Sequence, residues 1–269
     1  MNIMNKDITI VTAFFDIGRG DWKPEDGFPH YLQRTTDTYF ERFATLAKLE
    51  NEMFVFCERE HFDRVQELRG DRPTTIFEFD LVSEAQDLRE QIELVYAIPD
   101  YQRMINPKER ANPEYWCADY VIINLLKSTF ACMASIQAKN EMLAWVDFGY
   151  CRTPEAVGNL QHWYYPFDKD KIHLWSIRDH RGEDIPNIIA NNMVFVTGPC
   201  IVASKTKWKL LEHLVMEAVQ GLLANQLIDD DQLFLLLAAL SSPKDFEIRK
   251  LDPNDWFTVI RDYHETLPA

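Results

Sequence analysis

Two carboxylate groupings in this chain have the types and spacing to do chemistry: Asp147, at the end of the apolar run Met142-Leu-Ala-Trp-Val146, and the triplet Asp229-Asp230-Asp231 followed by Gln232. A carboxylate that closes a buried strand gives up its water, a cost offset only by a cation or by hydrogen-bond donors. Asp147 is therefore a candidate ligand for Mg²⁺ or Mn²⁺. The alternative is an Asp that caps the following turn through its own backbone. The triplet stands where a helix begins, so the helix dipole favours its charge while the three acids repel one another. One acid is expected to cap the helix. That leaves Asp230 or Asp231 as a candidate general base or as an acid that holds an acceptor hydroxyl.

Further candidates lie in three other stretches. The first apolar run, Ile8 to Phe15, stops at Asp16-Ile-Gly-Arg-Gly20, which places Thr12, Phe14, Asp16 and Arg19 near a ligand at a strand end. Asp119 and Lys127 fall within about 80° of each other on a helix. They could reach the base and diphosphate of a nucleotide; the alternative is a pair of surface charges or an ion pair with a neighbour. His264 is a candidate second metal ligand through a neutral imidazole, against the plainer reading of an exposed histidine. Trp163 and Tyr164 offer flat faces to a sugar ring, although such clusters also pack beneath loops.

These residues need a scaffold. Ile8–Phe15, Met53–Cys57 and Thr74–Phe79 read as strands, separated by helices over Pro29–Glu50 and Glu60–Gly70, so the chain opens in the doubly wound manner. A charged helix over Ser83–Tyr101, a Pro-flanked loop from Asn106 to Pro113 and a long helix from Glu114 to about Lys139 precede the strand that ends at Asp147. Gln161–Phe167 reads as a loop and Lys171–Ser176 as a strand outside the nucleotide half. Met193–Ala203 reads as two short strands bent at Gly198-Pro199, followed by a helix over Lys205–Leu223 capped near Ser204.

Composition narrows the functions available. The chain has 269 residues, 28 Lys plus Arg against 43 Asp plus Glu, and a formal charge of −15. Such a surface repels phosphate backbones, so a nucleic-acid partner is not expected. One phosphorylated small molecule remains compatible, because local donors or a metal act within a screening length of about 8–10 Å. Five dispersed cysteines have no zinc or redox spacing and read as reduced core thiols. Met1 to Asp7 has no apolar secretory segment and nothing approaches the roughly 18 apolar residues of a membrane span, so a cytosolic chain is expected.

The chain resembles the bacterial HtrL/YibB family, associated with lipopolysaccharide and surface-polysaccharide loci, over nearly its whole length. The resemblance rests on Thr9 to Trp22, on Tyr115-Trp-Cys-Ala-Asp-Tyr120 with Asn124-Leu-Leu-Lys127, and on Ala144-Trp-Val-Asp-Phe-Gly-Tyr-Cys-Arg152. The order of elements is in turn similar to GT-A glycosyltransferases. Their Asp-x-Asp, glycine-bearing loop, later acidic pair and C-terminal His correspond here to Asp147, Gly198, Asp230 with Asp231, and His264. Gly149 stands where the second Asp would be, which weakens the two-carboxylate grip on a divalent metal.

The resemblance implies a GT-A-like α/β domain spanning residues 1–269, with a mixed, mostly parallel sheet flanked by helices and an acceptor-side insertion. Residues 1–152 would bind a nucleotide-diphosphate sugar through Thr12, Phe14, Asp16, Arg19, Asp119, Lys127 and Asp147. Residues 153–269 would receive a glycan or lipid-linked glycan acceptor at Trp163, Tyr164 and Gly198, at most peripherally associated with the inner face of the inner membrane. Two rivals share the sheet: a sugar nucleotidyltransferase, of whose basic glycine-rich loop Asp16-Ile-Gly-Arg-Gly20 is a faint version, and a non-catalytic glycan-binding protein, for which Gly149 argues.

Overall fold

The computed structural model describes residues 7–265; the terminal residues of the expected 1–269 domain, and all of Met1–Asp7 but its last residue, lie outside the described residues. Seven strands, β1 (Ile8–Phe14), β2 (Met53–Cys57), β3 (Thr74–Glu78), β4 (Met142–Val146), β5 (Ile172–Ser176), β6 (Val196–Ser204) and β7 (Phe246–Lys250), form one sheet in the order β3-β2-β1-β4-β6-β5-β7. Strands β3, β2, β1 and β4 are parallel, β6 runs antiparallel to both β4 and β5, and β7 is parallel to β5. This is the mixed, mostly parallel α/β sheet expected. Strand β7 escapes the sequence reading because only Phe246 of Phe-Glu-Ile-Arg-Lys is buried on this sheet edge.

The helices are α1 (Thr36–Leu46), α2 (Phe62–Arg69), α3 (Leu81–Glu84), α4 (Gln86–Tyr96), α5 (Pro99–Met104), α6 (Ala118–Ser135), α7 (Ile185–Ala190), α8 (Lys205–Ala224), α9 (Asp231–Ser241) and α10 (Val259–Asp262). Several are shorter than their periodicity suggests. The expected helix over Pro29–Glu50 begins only at Thr36, because the Thr35 side chain accepts from the Thr38 N–H as an N-cap. The expected Ser83–Tyr101 helix divides into α3, α4 and α5, the last opening with Pro99 at its first position. The helix expected from Glu114 starts four residues later, after a 3₁₀ turn at Pro113–Tyr115.

Strand β6 corrects a further expectation: it runs unbroken through Gly198-Pro199, where two bent strands were predicted. Its register against β5 shifts between His173 and Trp175, and at that irregularity a residue without an N–H costs the ladder little.

Each face of the sheet has its own core. One carries α4, α6, α8 and α9, with Val121, Leu125, Trp208 and Phe234 packed against Val11, Leu143 and Ile201. The other carries α1, α2 and α10, with Phe40, Phe43 and Ile260 against Ile10, Val55 and Ala144. Arg69, fully buried, ties the second face together by donating to the carbonyls of Ala47, Leu49, Asn51 and Pro73. All five cysteines are free thiols; Cys57, Cys151 and Cys200 are buried, and Cys117 and Cys132 half-buried. No helix among the described residues is long and apolar enough to cross a membrane.

Candidate functional site

Parallel β1 and β4 end at the same edge of the sheet, and antiparallel β6 starts there. Phe14, Asp147 and Gly198 are thus brought to one place, the crevice outside the strand ends where open α/β sheets bind ligands. A cavity of about 320 Å³ opens at that point, within the range of small-molecule sites. The first turn of α9 and the middle of α6 close its floor.

Lys127 of α6 is the centre of the floor. Its ammonium lies 2.9 Å from Asp147 Oδ1 and 2.6 Å from Asp231 Oδ2, and donates to the Gly198 carbonyl at 3.2 Å. A buried ammonium persists only with such partners. Burial alone would pull its pKa down, but Asp147 and then Asp231 outweigh it, so the group stays protonated and above its ordinary value. The Trp145 indole donates to the same Asp147 oxygen at 2.8 Å. Burial raises the Asp231 pKa, with Lys127 opposing.

The acidic triplet divides its work. Asp229 Oδ1 accepts from the Asp230 N–H at 2.9 Å, Asp230 Oδ1 caps α9 by accepting from the Gln232 N–H at 3.0 Å, and Asp231 pairs with Lys127. Asp230 thereby takes the capping role open to it in the sequence and still lines the cavity. Glu114, missed by the sequence reading, joins this acidic end. It is 4% exposed, and burial, then Asp229, push its pKa up to about 8. Asp229 is itself raised to about 7, again by burial first. No motif marked Glu114; only its neighbour Tyr115 belonged to a recognisable segment.

The loop after β1 is braced internally. Arg19 is 6% exposed and donates to the Leu32 carbonyl through Nε and Nη2, at 3.2 and 3.0 Å, and to the Tyr39 hydroxyl at 2.9 Å. Asp16 accepts from the Gly18 N–H and the Thr36 hydroxyl. Both residues line the cavity, as does Phe14, whose ring stacks on Phe148 at 5.1 Å.

Five residues singled out in the sequence lie elsewhere. Thr12 is fully buried within β1. Asp119 accepts two bonds from Arg89, at 2.8 and 2.6 Å. Trp163 and Tyr164 are buried; the Trp163 indole donates to the Tyr263 carbonyl, and the Tyr164 backbone bridges to Asp7. Both are core residues rather than faces offered to a ligand. His264 is exposed, its ring nitrogen 2.5 Å from the Arg261 carbonyl.

A divalent metal fits poorly at Asp147. The Lys127 ammonium already lies between the Asp147 and Asp231 carboxylates, and His264 is not among the cavity residues. A β-carbon at Gly149 would stand 3.1 Å from the Tyr39 ring, so the second Asp of an Asp-x-Asp would be seated only if that ring gave way by a few tenths of an ångström. Among the described residues, Glu58, Glu60 and His61 do bring three potential ligand atoms within 4.8 Å of one another, behind Phe14 and outside the cavity lining.

The opposite rim is basic. Arg34 and Arg152 line the main cavity and an adjoining one of about 590 Å³, whose walls they share with Tyr31, Trp256 and Phe257. Arg42 reaches past Gly149 from α1. Sequence reading passed over these arginines because their positions show no common spacing.

Among solved structures, similar architecture is found in the inositol-1-phosphate CTP transferase from T. maritima (TM-score 0.45, 9% identity, 92% of this chain and 86% of that one). Mouse xyloside xylosyltransferase 1 (0.42, 12%, 96% and 93%) and the glycosyltransferase GlyE of Streptococcus pneumoniae TIGR4 (0.41, 7%, 92% and 46%) are comparable. None of these scores assigns a chemistry to this chain. The sequence relationship is much stronger: Protein HtrL of Escherichia coli (strain K12) is 35% identical over 264 residues, covering 96% of this chain and 93% of that protein. A family model described as "Bacterial protein of unknown function (HtrL_YibB)" matches residues 6–265. The chain belongs to the HtrL/YibB family.

Proposed function

We propose that this protein is a glycosyltransferase of the GT-A-like type, transferring a sugar from a nucleotide-diphosphate donor to a glycan hydroxyl in surface-polysaccharide assembly. The observation that carries the reading is the Asp147–Lys127–Asp231 bridge on the cavity floor at the ends of β1, β4 and β6. The mixed sheet order supports it. Residues 1–152 would supply the donor side and 153–269 the acceptor side, the cavity lying where they meet.

In the transfer, the bond from the anomeric carbon to the diphosphate oxygen breaks, its electron pair leaving with the nucleoside diphosphate. The acceptor oxygen forms the new bond and gives up its proton. Asp231, at the acidic end, is the carboxylate assigned to the acceptor: in an inverting enzyme it takes that proton, and in a retaining one it orients the hydroxyl. Lys127 opposes the upward pull of burial on its pKa and fixes its position. A divalent cation such as Mn²⁺ or Mg²⁺ has no role in this scheme at Asp147, for the steric and electrostatic reasons given above. A lipid-linked glycan at the inner face of the inner membrane is the acceptor class proposed.

The test is thermal stability against a panel of sugar nucleotides, followed by turnover of the donor that binds. A ligand at a hundred times its dissociation constant stabilises by about 2.7 kcal/mol, readily seen as a shift in melting temperature. Asp231→Asn should keep the donor-dependent shift and lose transfer. Full transfer by that variant would remove Asp231 from the chemistry, and no shift with any sugar nucleotide would favour a glycan-binding protein instead.

A further inference from the structure

Arg34, Arg42 and Arg152 form a cluster of positive charge that Glu41 and Asp147 offset only from beyond ion-pair distance. Among the described residues, none of the three guanidinium groups pairs with a carboxylate, whereas Arg261, on the same rim, is engaged by Asp255 and Asp262. Arg42 Nη1 is buried and has no hydrogen-bond partner. The Arg152 guanidinium lies 3.9 Å from the Phe257 ring centroid, and Arg152, an exposed residue, stands on the border of both cavities. This arrangement occurs in a chain of net charge −15, where acids to pair with arginine are plentiful.

The cluster disfavours its own charge. Burial, then Arg34, lower the Arg42 pKa against the pull of Glu41; for Arg152, whose side chain reaches solvent, the partial desolvation and the repulsion by Arg34 and Arg42 act downward and Asp147 upward. Three guanidinium groups in mutual repulsion, with a buried donor unsatisfied, make a site completed by an anion. Guanidinium forks match phosphate oxygens in pairs, giving charge-assisted hydrogen bonds.

We propose that Arg34 and Arg152 bind the diphosphate of the donor and, with Arg42 adding its charge from behind Gly149, receive the charge of the departing nucleoside diphosphate, so that transfer proceeds without a divalent metal. The cleft is then polarised along its length. The leaving group lies at the arginine rim, the acceptor hydroxyl at the acidic end with Glu114 and Asp231, and the sugar between them. Trp256 and Phe257, shared by both cavities, border the diphosphate. Only the source of the diphosphate rests on the transferase reading.

The experiment is calorimetric titration of the full chain with pyrophosphate in EDTA. Wild-type protein should bind, and Arg34→Gln and Arg152→Gln should each weaken binding by about tenfold or more, the loss typical of a hydrogen bond to a charged group. Equal affinity in the variants, or binding that appears only with Mn²⁺, would overturn the proposal. The double Arg34→Lys/Arg152→Lys variant keeps both charges and should recover part of the affinity. A lysine double variant as weak as the double Arg34→Gln/Arg152→Gln variant would trace the loss to a disturbed fold and equally defeat the assignment. A panel of ADP, CDP, GDP and UDP supplies the second arm: displacement of pyrophosphate by one of them supports the donor as the source, and displacement by none rules it out. Pyrophosphate binding in a protein that turns over no sugar nucleotide would leave the anion site standing while sinking the transferase reading.

Discussion

The Asp231 carboxylate occupies the space that a β-carbon at Gly198 would need: an ideal Cβ there would stand 1.6 Å from its Oδ2 and 2.3 Å from its Cγ. The glycine on β6 is what allows the first residue of α9 to reach Lys127 on α6, so three elements meet at a point where no larger residue fits.

Gly198→Ala is accordingly expected to push Asp231 off Lys127 and to destabilise the protein by about 1–3 kcal/mol, the usual cost of overpacking. Urea unfolding of a double-mutant cycle checks the cause. In an Asp231→Ala background the same change should cost markedly less, since the two residues share one space. An identical cost in both backgrounds would place the strain elsewhere on β6.

The sequence foreshadowed half of this arrangement. Asp147 was legible because an apolar run of strand length must end somewhere, and a carboxylate there has to be satisfied. The first acid of α9 was legible as a helix start. Their meeting through Lys127 was not, since Lys127 and Asp231 are 104 residues apart and only the direction of β6 brings Gly198 beside them. Trp163 and Tyr164 misled for a different reason: aromatic side chains have the same signature in a core as in a cleft. The arginine rim draws on positions 34, 42 and 152, each unremarkable by itself. Charge that is unpaired in three dimensions has no one-dimensional signal.

Lys127→Met removes the cation between two carboxylates and leaves Asp231, 6% exposed, without its partner. Breaking a buried pair in this way costs about 3–5 kcal/mol. The loss should be smaller at acid pH. Without Lys127 the Asp231 pKa rises further, and an acid raised in the folded state contributes stability below its unfolded value that disappears as pH rises through the folded one. Urea midpoints at pH 5 and pH 8 test the direction. A variant equally damaged at both would show that Asp231 finds another donor.

Arg89 and Asp119 form a partly exposed pair on the outer side of α6, with side-chain exposures of 18% and 36%. Asp119→Ala should therefore cost no more than about 1 kcal/mol and leave the proposed sugar-nucleotide binding unchanged. A loss of sugar-nucleotide affinity, measured by thermal shift, would return Asp119 to the donor site where the sequence first put it.

Arg34→Gln should leave the unliganded protein as stable as wild type or raise its melting temperature, because it removes repulsion from Arg42 and Arg152, whereas Arg152→Gln also gives up the Phe257 contact and is the less informative variant. Residues kept for a site commonly cost stability in this way. A purely structural arginine behaves oppositely, losing packing and hydrogen bonds when shortened, so a clear fall in melting temperature without ligand would speak against the anion site.

Glu114 supplies the pH dependence. Its pKa is raised by burial first and by Asp229 second, to about 8, so between the ordinary carboxylate range and that value the folded protein binds a proton that the unfolded chain has released. Stability is then fully present below the unfolded pKa and is lost as pH climbs through the folded one. His61 and His173, whose pKa values burial lowers, act in the other sense: their contribution is present above the unfolded histidine value and lost as pH falls. Absolute melting curves therefore mix opposing slopes, and the informative quantity is the difference between Glu114→Gln and wild type. That difference should favour the variant increasingly from pH 6 to pH 9, and a flat difference would mean that Glu114 is ionised in the folded protein at neutral pH. An ionised Glu114 would add a fixed negative charge to the acidic end of the cleft and leave the stability difference insensitive to pH in that range.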